Sequence, residues 1–197
     1  MASAATTIRP LVSLALPESR GARLATQVGL ALLGTLVLTV SAKTKVVFGP
    51  VDMSLQTLAI ILISAAFGMR LGLATVLLYM AEGAAGLPVF QASPEKGVGI
   101  LYMLGTTGGY LAGFVVMTAM IGWAADRGWD RNVLKFFGVV VVADAIMLAM
   151  GFGWLSALIG VENGWQFGVV PFIVPDLVKA ALAAALVPAV WSLIRRR

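Results

Sequence analysis

Six apolar stretches run through this chain, at about 24–42, 54–69, 71–87, 100–124, 134–153 and 171–194. They constrain the fold because a helix that crosses a bilayer needs about 20 apolar residues, within a range of roughly 17–25. The second and third stretches sit at or below that limit. They are expected to be tilted, broken or shielded by neighbouring protein. Composition agrees: of 197 residues, 60% are hydrophobic and 12% charged, with a mean hydropathy of +0.97. A soluble domain is about half apolar and about a quarter charged. The expected fold class is an all-α membrane protein, with six transmembrane helices within 24–197. Residues 1–23 lack the long apolar run and small-residue cleavage site of a signal peptide. They read as a cytoplasmic N-terminal tail.

The charges supply a topology. With six spans both ends lie on one side. That side holds Arg9, Arg20, Arg23, Arg70, Arg127, Arg131, Lys135, Arg195, Arg196 and Arg197; the other holds Lys43, Lys45 and Lys96. Basic residues collect in cytoplasmic loops, so both termini are expected in the cytoplasm and the protein in the cell's inner (plasma) membrane. The net charge of +5 is then topological, and no nucleic-acid partner is expected, since no basic face alternates with stacking aromatics.

Histidine and cysteine are absent. Disulfides, thiolate nucleophiles, imidazole bases and the common zinc sites are excluded with them. No P-loop signature occurs, so the chain does not power itself with ATP. No cofactor or metal is expected. The non-cytoplasmic segments 43–53, 88–99 and 154–170 are long and aromatic, with Phe48, Phe90, Trp154, Trp165 and Phe167. The segment at 154–170 reads as too polar at its centre to continue a span. Such aromatics serve as an interfacial belt or as a lid over an outward-facing pocket.

Glu82, Asp144, Asp176 and Lys179 fall inside apolar runs. An intramembrane charge is costly and points to function. Asp176 and Lys179 are three apart and share a helix face. They either neutralise each other or, beside Pro171 and Pro175, offer donors and acceptors to a polar ligand. Asp144, about 13 Å into the fifth span from Lys135, is expected to face the interior beside them. Glu82 lies nearer the outer end of the third span, where snorkelling to the interface competes with a pocket role. Gln56 and Thr57 open the second span, and Tyr79 lies one turn from Glu82. Gly105 to Tyr110 read as part of the fourth span. Gly105, Gly109 and Gly113 recur every four residues, for close packing or for backbone approach to a ligand.

Several stretches, taken in order, carry a resemblance: Gly49-Pro50-Val51-Asp52-Met53-Ser54-Leu55-Gln56-Thr57-Leu58, Tyr79-Met80-Ala81-Glu82-Gly83 through Pro88-Val89-Phe90, Thr107-Gly108-Gly109-Tyr110 through Phe114, and Pro171-Phe172 followed by Asp176-Leu177-Val178-Lys179. The chain resembles the biotin transporter substrate-binding subunits, the BioY family, which are S-components of energy-coupling factor (ECF) transporters. The resemblance implies a six-helix bundle that captures biotin from outside. It implies a substrate pocket drawing on Asp176, Lys179, Asp144, Tyr110, Gln56, Tyr79, Glu82 and Gly83. Phe48, Pro50 and Phe90 would then belong to lid loops, and Ala25 and Gly29 to a docking face on the first helix. The implied partners are a transmembrane coupling subunit and ABC ATPases, besides the lipid bilayer and a further copy of the chain. The chain departs from the family pattern in three places: Asp52 where proline is expected, Asp144 where asparagine is, and Val174-Pro175 where Pro-Gly is. Two alternatives stand beside this reading. One is a solo or ion-coupled carrier for another small solute; the other is an intramembrane aspartyl enzyme built on Asp144 and Asp176.

Overall fold

The computed structural model describes residues 10–47 and 52–195, with only the backbone described at Val46, Val47, Asp52 and Arg195. Phe48 and Pro50, expected in a lid, lie outside the described residues, as do Arg9, Arg196 and Arg197. A short 3-10 turn at Leu11–Leu14 leads into α1 (Arg20–Lys43). A two-stranded antiparallel hairpin follows, β1 (Lys45–Val47) and β2 (Asp52–Ser54), with Val46 opposite Met53. Then come α2 (Gln56–Ala84), α3 (Gly99–Met103), α4 (Gly108–Asp126), a 3-10 turn at Trp129–Arg131, α5 (Val133–Ile159), α6 (Val161–Gly168) and α7 (Val170–Arg195).

Among the described residues, five helical segments are long and apolar enough to cross a membrane. Their outward faces are apolar: Leu134 is 81% exposed, and Leu32, Leu33, Leu36, Val37 and Val40 line the outside of α1. In water such a surface would be strongly unfavourable; in a bilayer the surroundings are themselves apolar. The inner face of α1 is the complementary stripe Ala31, Gly34, Thr35, Leu38 and Ala42, at helical spacing. It packs on α2.

The second and third apolar stretches both belong to α2, which is divided at Gly68. That residue has φ 74° and ψ −178°, a backbone conformation only glycine adopts readily. The Asp126 carboxylate accepts the Met69 N–H at 3.2 Å beside the break. Gln56 and Tyr79 would stand about 34 Å apart on a straight helix. Instead they are hydrogen-bonded at 3.0 Å, so the chain doubles back at Gly68. The two halves, 56–67 and 69–84, rise only roughly 18 and 24 Å. They are the interior of the bundle: Ile60, Ile61, Ala65, Val76 and Tyr79 are all buried. Short apolar runs suffice here because neighbouring protein covers them.

α4 packs against α2 and α5, and α7 against α2 and α5. A Cβ at Gly113 would sit 2.8 Å from Met147 Cγ on α5, so the absent side chain sets how closely α4 and α5 approach.

Two expected boundaries are corrected. The fourth stretch is not one span from residue 100: the helix breaks after α3, and α4 starts at Gly108. Gly105, Thr106 and Thr107 therefore form a turn, with the Gly105 carbonyl accepting from Trp154 Nε1 at 2.8 Å. The segment 154–170 is not an irregular loop. α5 continues to Ile159 and α6 follows after Gly160, at φ 87°.

Candidate functional site

At one end of the bundle lie Pro10, the Gly68 break, Asp126 and the Asp130–Trp191 contact. At the other lie Lys43, the 87–98 segment, Tyr102 and α6. Gln56, Thr57, Ser93 and Asp176 are buried toward this second end.

Thr57 is on the first turn of α2, and Asp176 and Lys179 are on the early turns of α7. Lys179 Nζ donates to Thr57 Oγ1 at 2.8 Å and to Asp176 Oδ1 at 2.9 Å. Thr57 Oγ1 in turn lies 3.3 Å from Asp176 Oδ1, to which it donates. Asp176 is 4% exposed, although it is an aspartate in an apolar helix. Pro175 precedes it within α7 and brings no N–H to the helical ladder. The triad neutralises only part of what is buried. Asp176 Oδ2 and Asp144 Oδ1 have no hydrogen-bond partner among the described residues. Asp144, on α5, lies within electrostatic range of both Asp176 and Lys179. Leaving a buried carboxylate oxygen unpaired costs roughly 1–3 kcal/mol or more, so each of these two oxygens is a candidate acceptor for the donors of a ligand.

Thr57, Asp176 and Lys179 line a narrow cavity of about 60 Å³, together with Gln56, Gln91, Tyr110, Phe114, Met147 and Phe172. A wider vestibule of about 560 Å³ lies beyond, lined by Lys96, Thr106, Thr107, Leu155 and Phe167 among others. Gln91, Tyr110 and Phe172 belong to both spaces and form the neck between them. The neck is held in place. The Tyr110 hydroxyl donates to the Gly168 carbonyl at 2.7 Å, and its ring lies 6.3 Å from that of Phe172. Gln91 is fixed through its carbonyl, which accepts from the Tyr102 hydroxyl at 2.6 Å.

The 87–98 segment is pinned from several sides. Tyr79 accepts from Gln56 and donates to the Val89 carbonyl at 3.0 Å. Lys43, at the end of α1, donates to Ser93 O and, at 3.0 Å, to Ser93 Oγ. Phe90 is 1% exposed, edge-on to Tyr79 at 5.4 Å and stacked on Tyr102 at 4.9 Å.

The expected site residues therefore divide. Asp176, Lys179, Gln56 and Tyr110 meet at the cavity, with Asp144 within electrostatic reach and Tyr79 one hydrogen bond behind Gln56. Glu82 is not among the lining residues: its Oε1 accepts from Thr35 Oγ1 at 3.0 Å, between α2 and α1. Gly83 gives room for the Phe90 ring, which a Cβ there would overlap. Phe90 is a buried anchor of its segment. Ala25 and Gly29 are exposed on α1, and nothing lies within 4 Å of a Cβ built on Gly29. Thr57 acquires a role its sequence position hides, since its partners are 119 and 122 positions away. Gln91 and Phe172 stand with Tyr110 at the neck.

Residues 11–196 match the BioY family. The chain is 36% identical to the probable biotin transporter BioY of Pyrococcus horikoshii, over 82% of this chain and 94% of that one. It is 31% identical to biotin transporter BioY2 of Lactococcus lactis, over 76% and 81%. To biotin transporter BioY of Thermotoga maritima it is also 31% identical, over 77% and 88%. Among solved structures, it is similar to the S-component for biotin from an ECF-type ABC transporter. The TM-score is 0.75 at 20% identity, covering 89% of this chain and 95% of that one. At that identity the likeness speaks for the fold.

Proposed function

This chain belongs to the BioY family, and on that footing we propose that it is the biotin-capturing membrane subunit of an ECF-type uptake system. It is a transporter component and not an enzyme. We count six crossings, taking the two halves of α2 separately, with both termini in the cytoplasm of a cell bounded by this inner membrane. The doubling back at Gly68 and the Lys/Arg asymmetry support that count and orientation. A transmembrane coupling subunit and ABC ATPases supply the ATP hydrolysis that this chain has no motif for. The exposed face of α1 around Ala25 and Gly29 is the docking surface proposed for that module.

The observation that carries the substrate is the unpaired buried oxygen of Asp176 beside Lys179, with a second unpaired buried carboxylate oxygen on Asp144 of α5. Biotin's fused rings present two ureido N–H donors and one ureido oxygen. Asp176 Oδ2 and Asp144 Oδ1 accept the donors, and Lys179 donates to the oxygen. The cluster also sets the orientation. Two carboxylates face one ammonium, so a ligand carboxylate is disfavoured at the cavity floor. The rings therefore enter first and the tail lies in the vestibule, its carboxylate toward Lys96. Met147, Phe114 and Phe172 enclose the sulfur ring. Such a site, apolar with a few convergent polar groups, gives affinity through desolvated hydrogen bonds.

Titration of the purified protein in detergent with biotin, with thiamine and riboflavin as controls, tests this reading. Binding of biotin alone, with a Kd below micromolar, is expected. Absence of biotin binding below micromolar concentrations overturns it.

A further inference from the structure

A second surface feature lies at the opposite end of the bundle from the ligand cavity. An apolar groove of about 790 Å³ runs along the outside between α4 and α5. Ala119 and Gly138 give it small residues, and a Cβ on Gly138 would meet nothing within 4 Å. Met120, Trp123, Trp129, Leu134, Val139 and Val142 also line it. From Leu134 to Val142 it extends about 12 Å along α5. At its mouth Trp123 and Trp129 meet edge to face at 5.5 Å, the arrangement of an interfacial aromatic anchor.

The mouth is also cationic. Lys135 lines the groove, and the Arg127 guanidinium lies 3.8 Å from the Trp123 ring centroid. The carboxylates of the adjoining turn are engaged within the protein: Asp126 accepts the Met69 N–H, and Asp130 accepts from Trp191 Nε1. Neither Arg127 nor Lys135 forms an ion pair among the described residues.

We propose that this groove is a binding site for one acyl chain of an anionic phospholipid, with the phosphate held by Lys135 and Arg127. A slot with small residues between two helices suits a chain one methylene wide. Basic residues beside interfacial tryptophans suit an anionic headgroup. This site is independent of the biotin cavity and of its ligand.

The test is native mass spectrometry of the detergent-purified full chain, titrated with dioleoyl phosphatidylglycerol or dioleoyl phosphatidylcholine. One phosphatidylglycerol is expected to bind at least fivefold more tightly than phosphatidylcholine. A combined Lys135→Gln and Arg127→Gln variant is expected to bring the two lipids within twofold. Gly138→Leu, which fills open space, is expected to abolish the tight adduct without lowering the melting temperature. Quenching of the wild-type tryptophans by brominated phosphatidylglycerol, exceeding that by the phosphatidylcholine analogue, gives a second readout free of substitutions. Equal binding and equal quenching by both lipids overturn the proposal. So does tight phosphatidylglycerol binding unchanged in both variants. A wild-type dimer that Gly138→Leu dissociates also overturns it, by assigning the groove to a second copy.

Discussion

Lys179 Nζ and Thr57 Oγ1 stand 2.8 Å apart, although 122 positions separate them in the chain. Their hydrogen bond ties the start of α2 to α7 at the floor of the cavity, and Asp176 accepts from both. A buried ion pair is seldom a net gain over apolar packing. This one is retained where a ligand with both donors and an acceptor would complete it.

Asp176→Asn and Lys179→Ala are each expected to weaken biotin binding at least tenfold, or about 1.4 kcal/mol. Thr57→Val keeps the shape and removes the hydroxyl, so a smaller loss of about 0.5–1.5 kcal/mol is expected. Calorimetric titration of the purified variants measures all three. Wild-type affinity in both Asp176→Asn and Lys179→Ala would reduce the pair to a helix–helix brace.

On the proposed reading Asp144 meets the ureido N–H groups as an acceptor, a role an amide oxygen can also fill. Asp144→Asn retains an acceptor oxygen and is expected to stay within about threefold of wild type, below 1 kcal/mol. Asp144→Leu removes the acceptor and is expected to cost at least tenfold. The same titration decides, and a loss in Asn as large as in Leu would make the charge itself the requirement.

The contact between Gly83 and Phe90 predicts a stability effect. Gly83→Val pushes a side chain into the Phe90 ring, an overpacking that costs about 1–3 kcal/mol. Phe90→Ala empties the space between Tyr79 and Tyr102, for about 3–5 kcal/mol. Thermal unfolding in detergent should give lower midpoints for both, with Phe90→Ala the lower. A midpoint unchanged in Phe90→Ala would mean that the 87–98 segment is not part of the cooperative unit.

Asp130, in the turn between α4 and α5, is fully buried, and burial raises its pKa above the ordinary 3.8, against the opposing effects of Trp191 and Arg131. The folded protein therefore holds this proton more tightly than the unfolded chain. Its contribution favours the fold in acid and is lost as pH rises from the unfolded pKa through the raised folded one. The melting midpoint of wild type is expected to fall across that window. Asp130→Asn keeps an acceptor for Trp191 Nε1 and should remove that part of the slope. Identical pH profiles for the two proteins would contradict this account.

The helical class, the basic asymmetry and the Asp176–Lys179 face are legible in the sequence because each is a local pattern: a run, a count, an i,i+3 spacing. Gly68 is not legible in the same way, since one glycine in an apolar run is common and its meaning lies in the backbone angle it permits. The α3–α4 break is hidden for a different reason. Gly105 to Gly109 satisfy hydropathy as a span, yet the Gly105 carbonyl is taken by Trp154, 49 positions away. Thr57 could be noticed as a polar residue opening an apolar helix, but its partners on α7 follow only from packing. Glu82 falls in an apolar run and in a motif that the family resemblance assigns to the pocket, yet its bond to Thr35 turns on which side of the helix faces α1.

Gln91, Tyr110 and Phe172 border both the vestibule and the cavity. On the proposed reading, a biotin molecule with its rings in the cavity and its tail in the vestibule lies across all three. A change at any of them then acts on entry and exit together, so its effect belongs in the binding rates as well as in the equilibrium affinity.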